Sequence, residues 1–369
     1  MYTGKAPCAR NSKESKVKRR NTFMMWLLLS VLWLTVGCST IDDDLSDCDT
    51  SYQLDYELRL VTNMTTELQT QLSMQTDIAI SAVLKTHLSS IFTDFAHDVD
   101  LSFYDTKADS TRLHHDEHIM DANQQSYTLH IPRQKYMHLA VANIVDNPVV
   151  DLQYDERCHT SKIMQTPPSM WNGTAQSDTI DSHTTGLFTA RQLMEMIEGI
   201  NQTFNVKLFM ANCAAALVMD TRGHAHDNIK VYSSGFATGF NVCDSTYTYT
   251  ATPPVVRTTL LQAKDSEEQA YCSVTFPSPE SSHTRTVIET VEPFIAEPDE
   301  NGLWEFRVYV PQPDGTITET ILRVKEPLRA GQLRIIKCWL GDHGEVKTLN
   351  TEVGTSVTLD WKDGLIIKG

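Results

Sequence analysis

Apolar and polar residues alternate along much of the chain beyond residue 50. Tyr52, Leu54, Tyr56, Leu58 and Leu60 alternate with Gln53, Asp55, Glu57 and Arg59. The same period of two runs through Val99, Leu101 and Phe103, through Tyr127, Leu129 and Ile131, and through Met137, Leu139 and Val141. It returns in Phe204, Val206, Leu208 and Met210, in Trp304, Phe306, Val308 and Val310, and in Val357, Leu359 and Trp361. Strand side chains point alternately to opposite faces, so each run predicts a half-buried strand. One packed face and one wet face is the habit of antiparallel sheets. Helical spacing appears in Leu84, Leu88, Ile91, Phe92 and Phe95, and again in Leu193, Met196, Ile197 and Ile200. Both stretches are short and read as connecting helices packed on a sheet. The expected fold is mainly β.

A weak internal repeat points to two similar modules. Tyr127–Leu139 reads as strand, turn at Pro132, strand, and Ile321–Ile335 has the same build around Pro327. Between them, Thr166-Pro167-Pro168-Ser169 and the polar stretch to Gly186 form the best linker candidate. The expected division is residues 52–185 and residues 186–369, with the boundary anywhere from about 165 to 203.

The first 37 residues do not belong to this pattern. Seven basic residues and one acid, Glu14, lie between Lys5 and Arg20, and the 14 residues Phe23–Val36 carry no charge. A basic region followed by a short apolar one is the build of a secretory signal. A spanning helix needs about 20 apolar residues. The apolar run ends in Leu34-Thr35-Val36-Gly37-Cys38-Ser39. A small residue directly before a Cys resembles a bacterial lipobox, although Leu34 stands one position further from Cys38 than usual. The resemblance implies that Cys38 is lipidated and becomes the mature amino terminus, tethering the chain to a membrane.

Composition then separates leader from body. The whole chain has a net charge of −16, and removal of residues 1–37 takes away seven bases and one acid, leaving −22. That balance excludes nucleic acid as a partner, since phosphate binding needs a basic face. The 41% apolar content excludes wholesale disorder. Residues 38–51 form an acidic leader in which Ser39, Asp42, Asp43 and Asp44 follow the Cys directly. They resemble the export signal that sends lipoproteins of the Bacteroidota to the outer leaflet.

Of eight cysteines, Cys8 leaves with the signal and Cys38 carries lipid. Cys48, Cys158, Cys213, Cys243, Cys272 and Cys338 remain, an even number in an exported chain, so disulfides are permitted. Fifteen pairings are open, and buried free thiols are an equal expectation. No catalytic constellation appears: there is no G-x-S-x-G, P-loop or G-x-G-x-x-G. His114-His115-Asp116-Glu117-His118 lacks H-E-x-x-H spacing and reads as part of a solvated loop from Ala108 to Gln125. His224 and His226 beside Gly223, and Asp299-Glu300-Asn301-Gly302, read as turns. The sequons at Asn63, Asn172 and Asn201 carry little weight in a bacterial chain. The expectation is a protein without metal, cofactor or enzymatic activity.

Cys38-Ser39-Thr40-Ile41-Asp42-Asp43-Asp44-Leu45-Ser46-Asp47-Cys48, followed at once by the strand Tyr52–Val61, resembles the amino terminus of the fimbrillin-associated anchor family. These are the FimB/Mfa-type minor fimbrial subunits of the Bacteroidota. Its members show a lipobox Cys, an acidic I/Y-D-D-L-S-x-C stretch, which here has one extra Asp, and then the first strand. Val206–Asn212 and the strand–Pro–strand units are looser matches. The resemblance implies two tandem transthyretin-like antiparallel β-sandwich domains. It also implies a lipid-anchored outer-membrane subunit that binds fimbrial pilin subunits. Open sheet edges suit that task, because their unpaired N–H and C=O groups accept a strand from another chain. A tip adhesin of the same family and a glycan-binding lipoprotein, with Trp171 on a loop, are the other readings.

Overall fold

The computed structural model describes residues 51–61, 64–75, 77–92, 96–107, 110–119, 126–145, 147, 149–153, 156–165, 179–196, 202–223, 228–250, 253–264, 266–281, 302–350 and 353–361. By its contacts the chain divides into residues 1–50 and residues 51–369, and the described residues lie in the second unit. The elements are mostly strands. They begin with β1 (Ser51–Val61), α1 (Met64–Ser73) and α2 (Ile78–Ile91). Next come β2 (Asp98–Asp105), β3 (Arg112–Ile119), β4 (Ser126–Pro132), β5 (Lys135–Ala142), β6 (Val150–Gln153) and β7 (Lys162–Gln165). There follow β8 (Thr179–Asp181), β9 (Phe188–Glu195), β10 (Gln202–Met210), β11 (Cys213–Asp220), β12 (Lys230–Ser234), β13 (Gly239–Asn241) and β14 (Thr246–Thr248). The rest are β15 (Val255–Arg257), β16 (Thr259–Gln262), β17 (Glu268–Thr275), β18 (Trp304–Pro311), β19 (Ile317–Val324), β20 (Leu333–Leu340), β21 (Val346–Lys347) and β22 (Val353–Trp361).

The first sheet runs β3-β2-β5-β9-β10-β1-β4. Only Arg133 and Gln134 separate β4 from β5, yet those strands stand four places apart in the order. Four strand spacings come to about 19 Å, and three residue steps reach about 10 Å. A flat sheet is therefore impossible, and the connection has to cross between two facing limbs. The register shows where the sheet turns: β9 and β10 share only the pairs Phe209–Thr189 and Met210–Phe188. One limb is β3-β2-β5-β9, the other β10-β1-β4, and Leu101, Phe103, Leu129, Ile131, Val206 and Leu208 fill one core with α2. In the second module a five-stranded sheet, β16-β17-β11-β20-β21, faces a six-stranded one, β22-β19-β18-β12-β15-β8. Leu217, Ile336, Trp304, Phe306, Val308 and Leu322 pack between them. Here the repeated unit is again an arch, because β19 and β20 belong to opposite sheets. A smaller sheet, β14-β13-β7-β6, closes on Tyr104, Leu139 and Val141 of the first.

The mainly β, sandwich expectation holds, but the sheets do not divide the chain at 185/186. β9 and β10 pair with β5 and β1 in the first sheet. Conversely, β8 joins β15 in the second module, and β13 pairs with β7. The stretch Leu193–Ile200 is not a helix where described. Residues 188–195 form β9, with Met194 and Met196 buried and Leu193 68% exposed. An apolar run this short fits either period, and full pairing of β9 with β5 decides for the strand.

Helix α2 forms as expected. Asp77 caps it by accepting from Ile80 N at 2.9 Å. Ile80, Leu84, Leu88 and Ile91 bury one stripe, worth about 1.5–3 kcal/mol each, which outweighs the modest helix propensity of its Ile, Val, Thr and Ser. Gly186 N donates to Ile91 O at the helix end, and a Cβ there would lie 3.0 Å from the Phe92 ring. The helices cover the outer face of the five-stranded sheet. Small outward residues, Ala214, Ala216 and Ala270, share the core of α2, while Ala215, Leu217 and Met219 face the other core. With both faces covered, β11 has no alternation to read.

Candidate functional site

Cys38, Ser39, Asp42, Asp43, Asp44 and Cys48 lie outside the described residues, as do Trp171, His224, His226 and the sequon residues Asn63, Asn172 and Asn201. What is described is the strand the leader runs into. β1 is not an edge: it pairs in parallel with β10 over Leu54–Val61 and antiparallel with β4 over Ser51–Glu57. A force applied along β1 from its amino terminus would act in shear on both ladders, so that many hydrogen bonds would have to yield together.

Among the described residues the sheet edges are β3 and β4 in the first sheet, β16 and β21 in the five-stranded sheet, β8 and β22 in the six-stranded one, and the short strands β14 and β6 in the four-stranded one. β8, β16 and β21 are no longer than four residues. β3 carries charges and histidines on both faces, a composition that discourages pairing with another chain. β4 and β22 remain as long edges with alternating sequence.

Among the described cysteines, Cys158 and Cys243 form a disulfide with Cα atoms 5.5 Å apart. The 3-10 turn Cys158–Thr160 and the turn after β13 bring them together. Cys213, Cys272 and Cys338 are buried free thiols, not disulfide partners. Cys272 packs in the core of α2, and the other two face the opposite core. Cys338 pairs in register with Met219, six positions along β11 from Cys213, or about 20 Å. Burial pushes all three thiols up, to about 12 for Cys272.

Asn212, between β10 and β11, ties the modules together. Its side-chain oxygen accepts from Leu187 N and its amide lies 2.6 Å from His183 Nδ1, while its carbonyl accepts from Gly331 N at 2.7 Å. Because Leu187 fixes the amide, its NH₂ is the group facing His183, and Nδ1 has to be the acceptor. His183 is therefore held neutral, and burial pushes its pKa down to about 3. His138 is equally buried, with its Nδ1 donating to Ser102 O and its ring stacked on Phe103 at 4.4 Å. Its pKa is also pushed down to about 3 by burial, against the smaller opposing effect of that hydrogen bond.

The His114–His118 stretch is not a loop. It lies in β3, paired with β2. His114 bonds Asp116 on one face, and on the other His115 Nε2 lies 2.9 Å from Asp100 Oδ2 and 3.7 Å from Glu117 Oε1. A cleft of about 410 Å³ is lined by Gln71, Asp220, Arg222, Glu268, Lys337 and Trp339, among others. The Arg222 guanidinium sits 4.8 Å from the centre of the Trp339 ring and covers one of its faces.

No family model matches the chain, and no curated protein matches it. It is similar to solved structures of Bacteroidota. One is a candidate adhesin from Bacteroides thetaiotaomicron, with 9% identity, coverage of 84% of this chain and 98% of that one, and a TM-score of 0.49. Another is the fimbrial anchor protein Mfa2 from Porphyromonas gingivalis, with 11% identity, coverage of 84% and 99%, and a TM-score of 0.44. A third is the tip fimbrial protein Mfa3 of the same species, carboxy-terminally truncated, with 11% identity, coverage of 84% and 100%, and a TM-score of 0.38. At these identities and scores the likenesses assign no role.

Proposed function

We propose that this chain is a non-enzymatic, lipid-anchored subunit of a fimbria, held on the outer membrane through Cys38 and joined to pilin subunits by strand addition. The observation that carries the reading is the leader from Cys38 to Cys48 running directly into a strand. The position of β1 between two partners supports it, because a tether there is loaded along two ladders at once. β4 and β22 are the edges best suited to strand addition, where backbone bonds supply affinity and alternate side chains supply fit.

Cys38→Ala should move the full chain from the detergent phase to the aqueous phase. An unchanged partition would defeat the anchor. Affinity capture of the full chain from detergent-solubilised outer membrane should bring down polymeric pilins. Recovery of glycan-uptake transporters in their place would replace the fimbrial reading with glycan binding. Immunogold labelling of isolated fimbriae separates base from tip.

A further inference from the structure

We propose that Asp100, His115 and Glu117 bind one transition-metal dication of the zinc class, which fastens the edge strand β3 to β2. The backbone assembles this group from residues fifteen apart in sequence. β2 and β3 are antiparallel, with Asp100 directly opposite Glu117 and Ser102 directly opposite His115. The period of two puts His115 and Glu117 on the same face as Asp100. One donor atom from each of the three residues falls within a 4.8 Å set.

The spacing suits a small tetrahedral ion. With bonds of about 2.0–2.1 Å, tetrahedral donors stand about 3.3–3.4 Å apart. His115 Nε2 lies 2.9 Å from Asp100 Oδ2 and 3.7 Å from Glu117 Oε1, values that bracket this edge. One imidazole with two carboxylates suits zinc better than calcium, which takes six to eight oxygens. The two carboxylates balance the ion's charge. Asp100 is only 7% exposed and stands opposite Val141, which belongs to an apolar core, so one side of the group is fixed and dry. The Glu117 side chain is 74% exposed, which leaves the fourth position to water. An ion there joins β2 to β3 through side chains, in addition to the backbone ladder. The His114–Asp116 pair lies on the opposite face and is not part of the site.

The test is calorimetric titration of Zn²⁺ alone into the full, untagged chain in detergent at pH 7.5, with thermal unfolding alongside. One Zn²⁺ per chain and a raised Tm are expected. Affinity should fall at least about tenfold in His115→Ala and in Glu117→Gln, and stay unchanged in His114→Ala. Glu117 is exposed, so its variant should fold normally and keeps the test decisive. The proposal is overturned if the parent chain takes up no Zn²⁺, if Ca²⁺ binds in preference, or if uptake survives in His115→Ala and Glu117→Gln.

Discussion

A chain carrying both Cys158→Ser and Cys243→Ser should unfold at clearly lower urea concentration, with a loss of about 2–4 kcal/mol. The bridge spans 85 residues of sequence. On the chain-entropy account, closing a loop of that length in the unfolded state is worth about 4–5 kcal/mol, a ceiling that residual structure in the unfolded chain brings down to the expected loss. That loop contains β7 through β13, so it enters the second module at β8, returns to the first sheet at β9 and β10, and enters the second module again at β11 and β12. Its ends close the β7–β13 ladder, in which Lys162, Ile163 and Met164 pair with Asn241, Phe240 and Gly239. Dithiothreitol should lower the urea midpoint of the parent and leave that of the double variant unchanged. Equal midpoints for parent and variant would show that the bridge is not a feature of the native chain.

Legibility followed burial. β18 was readable because Trp304, Phe306, Val308 and Val310 all face the core and their neighbours Glu305 and Arg307 do not. The apolar stripe of α2 was readable for the same reason at the helical period. β11 is covered on both faces and β3 is polar on both, so neither shows contrast between alternate positions. At the end of β9, Leu193 and Met196 stand three apart as in a helix, whereas Met194 and Met196 stand two apart as in a strand, and only pairing with β5 decides between the two periods. The exchange of β8 and β13 between modules has no local signal. It depends on partners far away in sequence.

The candidate sites divide in the same way. Cys38 and its acidic neighbours are proposed from a local motif alone and lie outside the described residues. Cysteine pairing needed the fold, since only the register of β11 with β20 shows why Cys213 and Cys338 stay apart. Asp100 has no sequence signal at all. It meets His115 because a hairpin places them on one face. A reading based on H-E-x-x-H spacing assumes a helix, where positions four apart meet, whereas in β3 positions two apart meet.

Stability should fall steeply on mild acidification, before the carboxylates with lowered pKa become involved. His138 and His183 ordinarily titrate at 6.5, and burial pushes both down to about 3 in the folded chain. Between those values the unfolded chain binds two protons that the folded chain excludes. Their contribution is intact above pH 6.5 and declines as the pH drops toward 3. At pH 5 the loss is about 2 kcal/mol for each histidine and about 4 kcal/mol together. His87, lowered by its own burial, acts in the same direction. The carboxylates of Asp77 and Glu280, held low chiefly by hydrogen bonds from Ser266 and Arg329, have ordinary values of 3.8 and 4.5 and therefore act mainly below the interval from pH 7.5 to pH 5. Glu268, raised by burial, opposes the trend. Urea titrations of the full chain at pH 7.5 and pH 5 measure the difference. His138→Phe combined with His183→Gln, which offers Asn212 an acceptor oxygen, should lose stability at pH 7.5 and lose most of the pH dependence. If that variant, folded by circular dichroism, keeps the parent's full difference between the two pH values, the neutral buried imidazoles are not its source.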